Sequence, residues 1–372
     1  MKRTAVLTIV AALVTALPAA AQTPAAAKAR ARAEAAAHAE RIERRVITTQ
    51  QRERRQDQRV EQVETFSRAV KVGAQGELDL QNMSGSVTVT RGAGNELKID
   101  AVKKARAATE EAAREMLQLV TIDVSERAGR VEVRTRYPHV DRERPRRNMN
   151  VSVTYNITAP AGTRMRINSM SGGISVSDIA GELSLEAMSG HVTVERAARL
   201  LVAKTMSGHV TITDAKSDAM LTAGSMSGDV TLKQVTAREL SAEVISGTIT
   251  LIDVVCDRLG AQTTSGNVTF EGKLADRGRY KFGAHSGNVK IALTGDTGFE
   301  LDANSWGGNV RSELALKNME QGVADFRRAR AGGGSGGRTR MLKGTYGDGS
   351  AVLDVSTFSG TIVITKRVAD GR

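Results

Sequence analysis

The sequence predicts an all-β fold: a single-domain parallel β-solenoid with coils of about 20 residues, an N-terminal α+β cap and a charged helical or disordered leader. Three observations carry this. A seven-residue motif recurs through the middle of the chain. The residues on both sides of it alternate between apolar and polar. The 372 residues include only six Phe, four Tyr and one Trp, too few for a broad core anchored by large rings but enough for a thin one.

The motif first appears in series as Met170-Ser171-Gly172-Gly173-Ile174-Ser175-Val176. Its glycines are Gly172, Gly190, Gly208, Gly228, Gly247, Gly266, Gly287 and Gly308, at intervals of 18, 18, 20, 19, 19, 21 and 21 residues. Outlying copies stand at Met83-Ser84-Gly85 and Phe358-Ser359-Gly360. Five residues before each opening residue comes Leu183, Leu201, Leu221, Leu240, Leu259, Tyr280 or Leu301, and three before it a smaller series such as Ala203, Ala223 and Ala242. After the glycine, alternate positions are apolar, as in Val192 and Val194. Period-two patterning on both sides of a glycine reads as two short strands joined at a corner, with the glycine where a Cβ does not fit. A unit this short cannot bury its own apolar face, so copies must stack.

The remaining segments follow in chain order. Residues 1–21 read as a secretory signal peptide: Lys2 and Arg3, an apolar run from Thr4 to Leu17, Pro18, then the small residues Ala19-Ala20-Ala21. Residues 22–64 are an Ala/Arg/Glu-rich tether without an apolar stripe. Residues 65–168 form a strand-rich cap, with strand-like runs at Leu78–Val89, Leu119–Val124, Val131–Tyr137 and Val151–Ile157. Its one helical stretch is Ala107–Leu117, where Thr109 suits the N-cap and Glu110 and Glu111 the first turn. A densely charged loop follows Tyr137. Residues 169–318 are the repeat, and 319–372 a Gly-rich loop with a closing strand pair at Ala351–Lys366.

Taken together, the serial Met-Ser-Gly-x-Val-Thr-Val units, the lead-in Asn156-Ile157-Thr158-Ala159-Pro160-Ala161-Gly162-Thr163 and the closing Gly347-Asp348-Gly349-Ser350-Ala351 resemble a bacterial exported putative-adhesin family of β-strand-repeat proteins, a domain of unknown function. The resemblance spans about 65–372. It implies a β-helix with a surface or periplasmic role and brings no catalytic motif with it.

Three columns of side chains would line up on such a rod. The position after the glycine reads Gly173, His191, His209, Asp229, Thr248, Asn267, Asn288 and Asn309. His191, His209 and Asp229 on successive coils are the candidate metal ligands, against an ordinary polar column on a solvated face. A threonine column from Ser175 to Thr269 suits exposed strand positions; a flat array of this kind could instead order ice. The opening column, Met170, Met188, Met206, Met226, Ile245, Thr264, His285 and Trp306, is expected to pack as an apolar stripe near the corner, although thioethers also bind copper(I). Cys256 is the single cysteine, which excludes an intramolecular disulfide framework.

No catalytic residue and no cofactor are expected. The acidic residues are scattered, the Ser-Gly pairs lack triad partners, and for sugar stacking only Trp306, Tyr280 and Phe282 stand out. The expected function is that of an exported, non-catalytic adhesin or cell-envelope scaffold. The alternatives are a carbohydrate-active β-helix enzyme and a periplasmic envelope-stress or signalling accessory. The net charge of +12 lies mostly outside the repeat: residues 148–318 hold 16 basic and 17 acidic residues, while 25–70 hold 11 and 7. A near-neutral rod with basic appendages argues against a nucleic-acid domain and for contact of the Arg-rich segments with an anionic surface. The expected partner is an envelope or surface polymer or protein, met in the periplasm, at the cell surface or after secretion. No transmembrane span is expected once the signal is cleaved.

Overall fold

A computed structural model describes residues 60–138, 150–325 and 338–367. The signal segment, most of the tether, the charged loop after Pro138 and the Gly-rich run 331–337 lie outside the described residues. Among those described, 25 strands and one helix, α1 (Glu110–Leu119), form a nearly all-β, solenoid-like domain.

Each coil is best followed by its corner glycine. In the Gly190 coil, Glu182–Ser189 runs into the corner and Val192–Glu195 runs out of it. The incoming strand pairs in parallel with Arg164–Ser171 and with Arg199–Ser207. The outgoing strand pairs in parallel with Ile174–Ser177 and with Val210–Ser227. Like residues face like: Ile174, Val192, Val210, Val230, Ile249, Val268 and Val289 are register partners and all buried. Burying one β-branched residue per coil in each column gives a continuous core that is narrow across the rod.

The incoming strands contribute Leu183, Leu221, Leu240 and Leu259 to that core, but Leu201 does not hold its expected place. A register shift after Leu183 puts Leu200 opposite Leu183, so Leu200 is fully buried and Leu201 only partly. One extra residue in the strand turns the side-chain alternation over at that point. In the five coils from Gly172 to Gly247 a second turn is built on non-glycine residues at positive φ: Asp178, Arg196, Asp214, Gln234 and Asp253, between +51° and +62°. Arg196 there makes a two-pronged ion pair with Asp178 (2.6 and 2.9 Å), which holds that carboxyl below its ordinary range.

The coils do not stack in chain order. The outlying N-terminal copy (Glu77–Ser84 and Val87–Arg91) lies between the Gly172 coil and the strands Arg130–Arg136 and Val151–Ala159. At the other end, the pair expected to close the rod is inserted one coil in. Ala351–Ser359 pairs in parallel with Arg279–Ser286 on one side and Phe299–Ser305 on the other. Ile362–Lys366 likewise sits between Val289–Leu293 and Val310–Ser312. The Gly308 coil is thus placed outside the Gly360 coil, although it precedes it in sequence.

Antiparallel strands flank both ends. Glu96–Ala107 pairs antiparallel with Val151–Ala159, and Val60–Lys71 with Glu96–Ala107. Val60–Glu64 therefore belong to a strand and not to the leader. At the far end, Arg338–Tyr346 pairs antiparallel with Phe299–Ser305, and Lys317–Asp325 with Arg338–Tyr346. An edge strand carrying Glu61, Glu64, Arg68 and Lys71 discourages further pairing. Thr109 caps α1, accepting from the Ala112 N–H. Lys103, buried in Glu96–Ala107, donates to the Leu117 and Val120 carbonyls and pairs with Glu64 at 2.8 Å. A cation at the helix C-terminus offsets the exposed carbonyl dipoles there.

Burial also sets the protein's response to alkali. It pushes the hydroxyls of Tyr137, Tyr155 and Tyr280 from 10.0 to about 12, and the Cys256 thiol from 9.0 to about 12. The folded state holds these protons more tightly than the unfolded chain does. The associated stability is complete below about pH 9 and is lost as pH rises towards 12. Ionisation of Tyr137, Tyr155 and Tyr280 should therefore accompany the loss of the far-ultraviolet strand signal; tyrosinate from more than one of the four tyrosines near pH 10 in a still-folded chain would contradict this burial.

Candidate functional site

The opening residue of each motif forms the rungs of a ladder along one corner of the rod. The registers place them in the order Met83, Met170, Met188, Met206, Met226, Ile245, Thr264, His285, Phe358, Trp306. The residue before each rung is buried: Ser169, Ala187, Thr205, Ser225, Val244, Thr263, Ala284 and Thr357 are at most 6% exposed. The rung itself must then point outward, because side chains alternate and the corner follows before anything can cover it. The apolar rungs are not packed away as a stripe. They are 41–55% exposed.

Beside the ladder runs an open trough of about 1600 Å³. The small residues before each rung form its floor, and Asn168, Glu186, Lys204, Gly224, Glu243 and Gln262 its far wall. Interleaving at the two ends lengthens it, since it puts Met83 beside Met170 and Phe358 between His285 and Trp306. The His285 and Phe358 rings stack at 4.9 Å with 8° between their planes. Of the three expected stacking residues, only Trp306 is exposed; Tyr280 and Phe282 are core residues at 1% and 0%.

The floor is polar for a structural reason. At the corners from Gly85 to Gly287 the glycine N–H donates to the serine carbonyl of the next coil, as Gly190 does to Ser207. Hydroxyls from the following coil donate to the glycine carbonyls: Thr205 to Gly190 (2.8 Å), Ser225 to Gly208 (2.9 Å), Thr263 to Gly247 (3.2 Å) and Thr357 to Gly287 (3.0 Å). A buried carbonyl left without a donor is costly, so Ser and Thr recur where a core position would otherwise be aliphatic.

The same accounting explains the column after the glycine. Main-chain bonds between coils use the N–H groups before and after this position, as at Gly190 and Val192, and leave its own N–H over. The side chain one coil earlier accepts it. His191 Nδ1 accepts from the His209 N–H (3.0 Å), and His209 Nδ1 from the Asp229 N–H (2.9 Å). Asp229 Oδ1 accepts from Thr248 (2.8 Å), Asn267 Oδ1 from Asn288 (2.9 Å) and Asn288 Oδ1 from Thr361 (2.8 Å). Both imidazoles must carry their proton on Nε2 to do this. Their rings stack at 5.1 Å with 4° between planes.

The structure thus brings His191, His209 and Asp229 into one column but turns their acceptor atoms to backbone amides. Among the described residues, no group of three or more His, Cys, Asp or Glu is placed to hold a metal ion. The recurrence of His, Asp and Asn at one column was the available signal, since all three present an acceptor at the same reach from Cβ. His209→Ala should cost about 1 kcal/mol by urea unfolding, whereas His209→Asn should restore most of it. Equal stability of the alanine variant and the parent would show that this ladder contributes nothing.

The repeated corner, its two hydrogen-bond ladders and the parallel registers lie within residues 75–365, the span matched by a model of the Toastrack family, DUF4097. The chain belongs to the Toastrack family. No curated protein matches it. Three solved structures are similar to this Toastrack chain at low identity. A putative adhesin of Bacteroides fragilis is 15% identical, with 81% of this chain and 96% of that one covered and a TM-score of 0.40. A putative adhesin of Parabacteroides distasonis is 12% identical, with 82% and 97% covered and a TM-score of 0.36. A putative cell adhesion protein of Clostridium sporogenes is 11% identical, with 82% and 100% covered and a TM-score of 0.21. No described helix of the Toastrack chain is long and apolar enough to cross a membrane.

Proposed function

We propose that this protein is an exported, non-catalytic binding rod of the bacterial cell envelope, and that it holds its partner along the methionine ladder. The observation that carries this is the ladder itself: a half-exposed column, apolar at eight of its ten rungs, beside an open trough. Soluble proteins seldom expose contiguous apolar area on this scale unless something binds there. Methionine adapts its shape to what it meets, which suits a recognition surface better than a core.

The chemistry of the trough supports binding without turnover. Its two carboxylates, Glu186 and Glu243, lie three coils apart. At ~4.8 Å per coil that is about 14 Å, beyond the ~5–9.5 Å at which paired carboxylates cleave a glycosidic bond. Export is supported by the tripartite N-terminal segment, and the Arg-rich appendages suit an anionic surface.

The test is retention of the mature protein on isolated envelope fractions. Met206→Lys with Met226→Lys should weaken retention by at least about tenfold, as expected when central apolar contacts are lost, with the circular dichroism spectrum unchanged. Undiminished retention of the folded double variant would sink the reading. Release of reducing-end or unsaturated products from envelope polysaccharide would replace it with an enzymatic one.

A further inference from the structure

The ladder is not uniform along its length. Its first five rungs are all methionine, from Met83 to Met226. The last three are His285, Phe358 and Trp306. This division is absent from chain order, in which Met83 and Phe358 are far from the rungs they join.

We propose that the occupant of the trough is a second copy of this chain, packed antiparallel about a two-fold axis between the Met226 and Ile245 rungs. The proposal rests on the ladder being the binding face. The axis sets the methionine half of each copy against the aromatic half of the other: Met188 opposite His285, Met170 opposite Phe358, and Met83 opposite Trp306. Thioether sulfur against an aromatic ring is a favourable pairing. The arrangement is isologous, so each such contact occurs twice.

Charge and size agree with it. The same axis brings the third coil, with Glu186 on the trough wall, opposite the eighth, where Lys281 lines the trough two residues from the wall position that Gly283 holds. Each copy therefore offers a negative group where the other offers a positive one. The large rungs are 41–55% exposed. At about 100 Å² apiece, half the area of a large side chain, ten rungs with their wall approach the ~800 Å² per partner of a stable interface. Both copies also share one repeat of ~4.8 Å per coil, so rungs that mesh at one point mesh along the whole ladder.

Sedimentation of the mature full chain tests this. The parent should be a dimer at ~100 μM and dissociate on dilution. Met188→Lys should weaken the dimer at least tenfold. Glu186→Lys and Lys281→Glu should each weaken it, and combining the two reversals should restore it, which no merely structural role of either residue predicts. Circular dichroism confirms that each variant is folded. A parent that stays monomeric at that concentration overturns the proposal, as does a dimer that Met188→Lys leaves intact. If the monomeric parent still binds envelope fractions and Met206→Lys with Met226→Lys abolishes this, self-pairing fails while the ladder remains the binding face.

Discussion

Gly228→Ala should destabilise the domain by about 3 kcal/mol or more, enough to remove it from the soluble fraction. Gly228 has φ +141°, and an added Cβ would come within 3.0 Å of the Gly208 carbonyl oxygen. Backbone in this region costs a non-glycine residue ~1–3 kcal/mol before any clash is counted. The clash cannot relax, because the obstructing atom is backbone and is held by coils on both sides. The Gly208 carbonyl also accepts from the Ser225 hydroxyl, so pushing it aside breaks a partly buried hydrogen bond. Gly260→Ala is the control: nothing lies within 4 Å of its added Cβ, and its φ is not in the strained region. That variant should unfold at the parent's urea midpoint or slightly above it. Comparable losses for both substitutions would mean that the corner is not the constraint.

Ending the chain after Ser350 should be at least as damaging. In a solenoid stacked in chain order, removing the last strands costs one terminal coil and leaves the rest. Here Ala351–Ser359 is hydrogen-bonded on both sides, to Arg279–Ser286 and to Phe299–Ser305. Its removal detaches the Gly308 coil and the antiparallel strands beyond it, and exposes the backbone edge of the Gly287 coil. The truncated chain should aggregate, since an open edge with no charged strand over it invites pairing with other chains. A soluble monomer that has lost only the removed strands' share of the far-ultraviolet signal would contradict the interleaved order. Supplying Ala351–Arg372 as a separate peptide should restore solubility.

These two expectations separate what the sequence states from what it withholds. The corner was legible because one residue type is compulsory at one spacing, and eight glycines at near-constant intervals leave little choice. The core columns were legible for the same reason, apart from Leu201, where an inserted residue shifts the partner of Leu183 to Leu200. The strand Glu96–Ala107 was missed although it alternates strictly, because after Leu97 and Ile99 its inward positions hold Ala101, Lys103, Ala105 and Ala107, which read as helix or loop. The first part of Val60–Lys71, Val60–Glu64, was merged with the leader because Val70 is the strand's only buried residue. The order of the end coils could not be read at all. Every copy of the motif is compatible with every other, and adjacency in space depends on which edges remain free when the ends fold.

The candidate site divides in the same way. The ladder residues were in view as a column, but their exposure follows from the corner geometry, and its ends exist only through the interleaving. The polar columns were visible as patterns without a cause. Their cause is the backbone groups that a tight corner leaves over, and these can be counted only once the registers are known. That count gives His191, His209 and Asp229 a hydrogen-bonding role along their column. It leaves the methionines as the column whose chemistry the fold does not use.

The most direct test of that claim is site-specific photocrosslinking in living cells of the native host. A benzophenone amino acid would replace Met206 on the ladder or, in a second strain, Lys290, which is exposed on the outgoing strand Val289–Leu293. An adduct of defined mass from position 206, with none from position 290, is the result predicted for a rod that works through its methionine ladder. Crosslinking from position 290 with silence at 206 would show that the working face lies elsewhere.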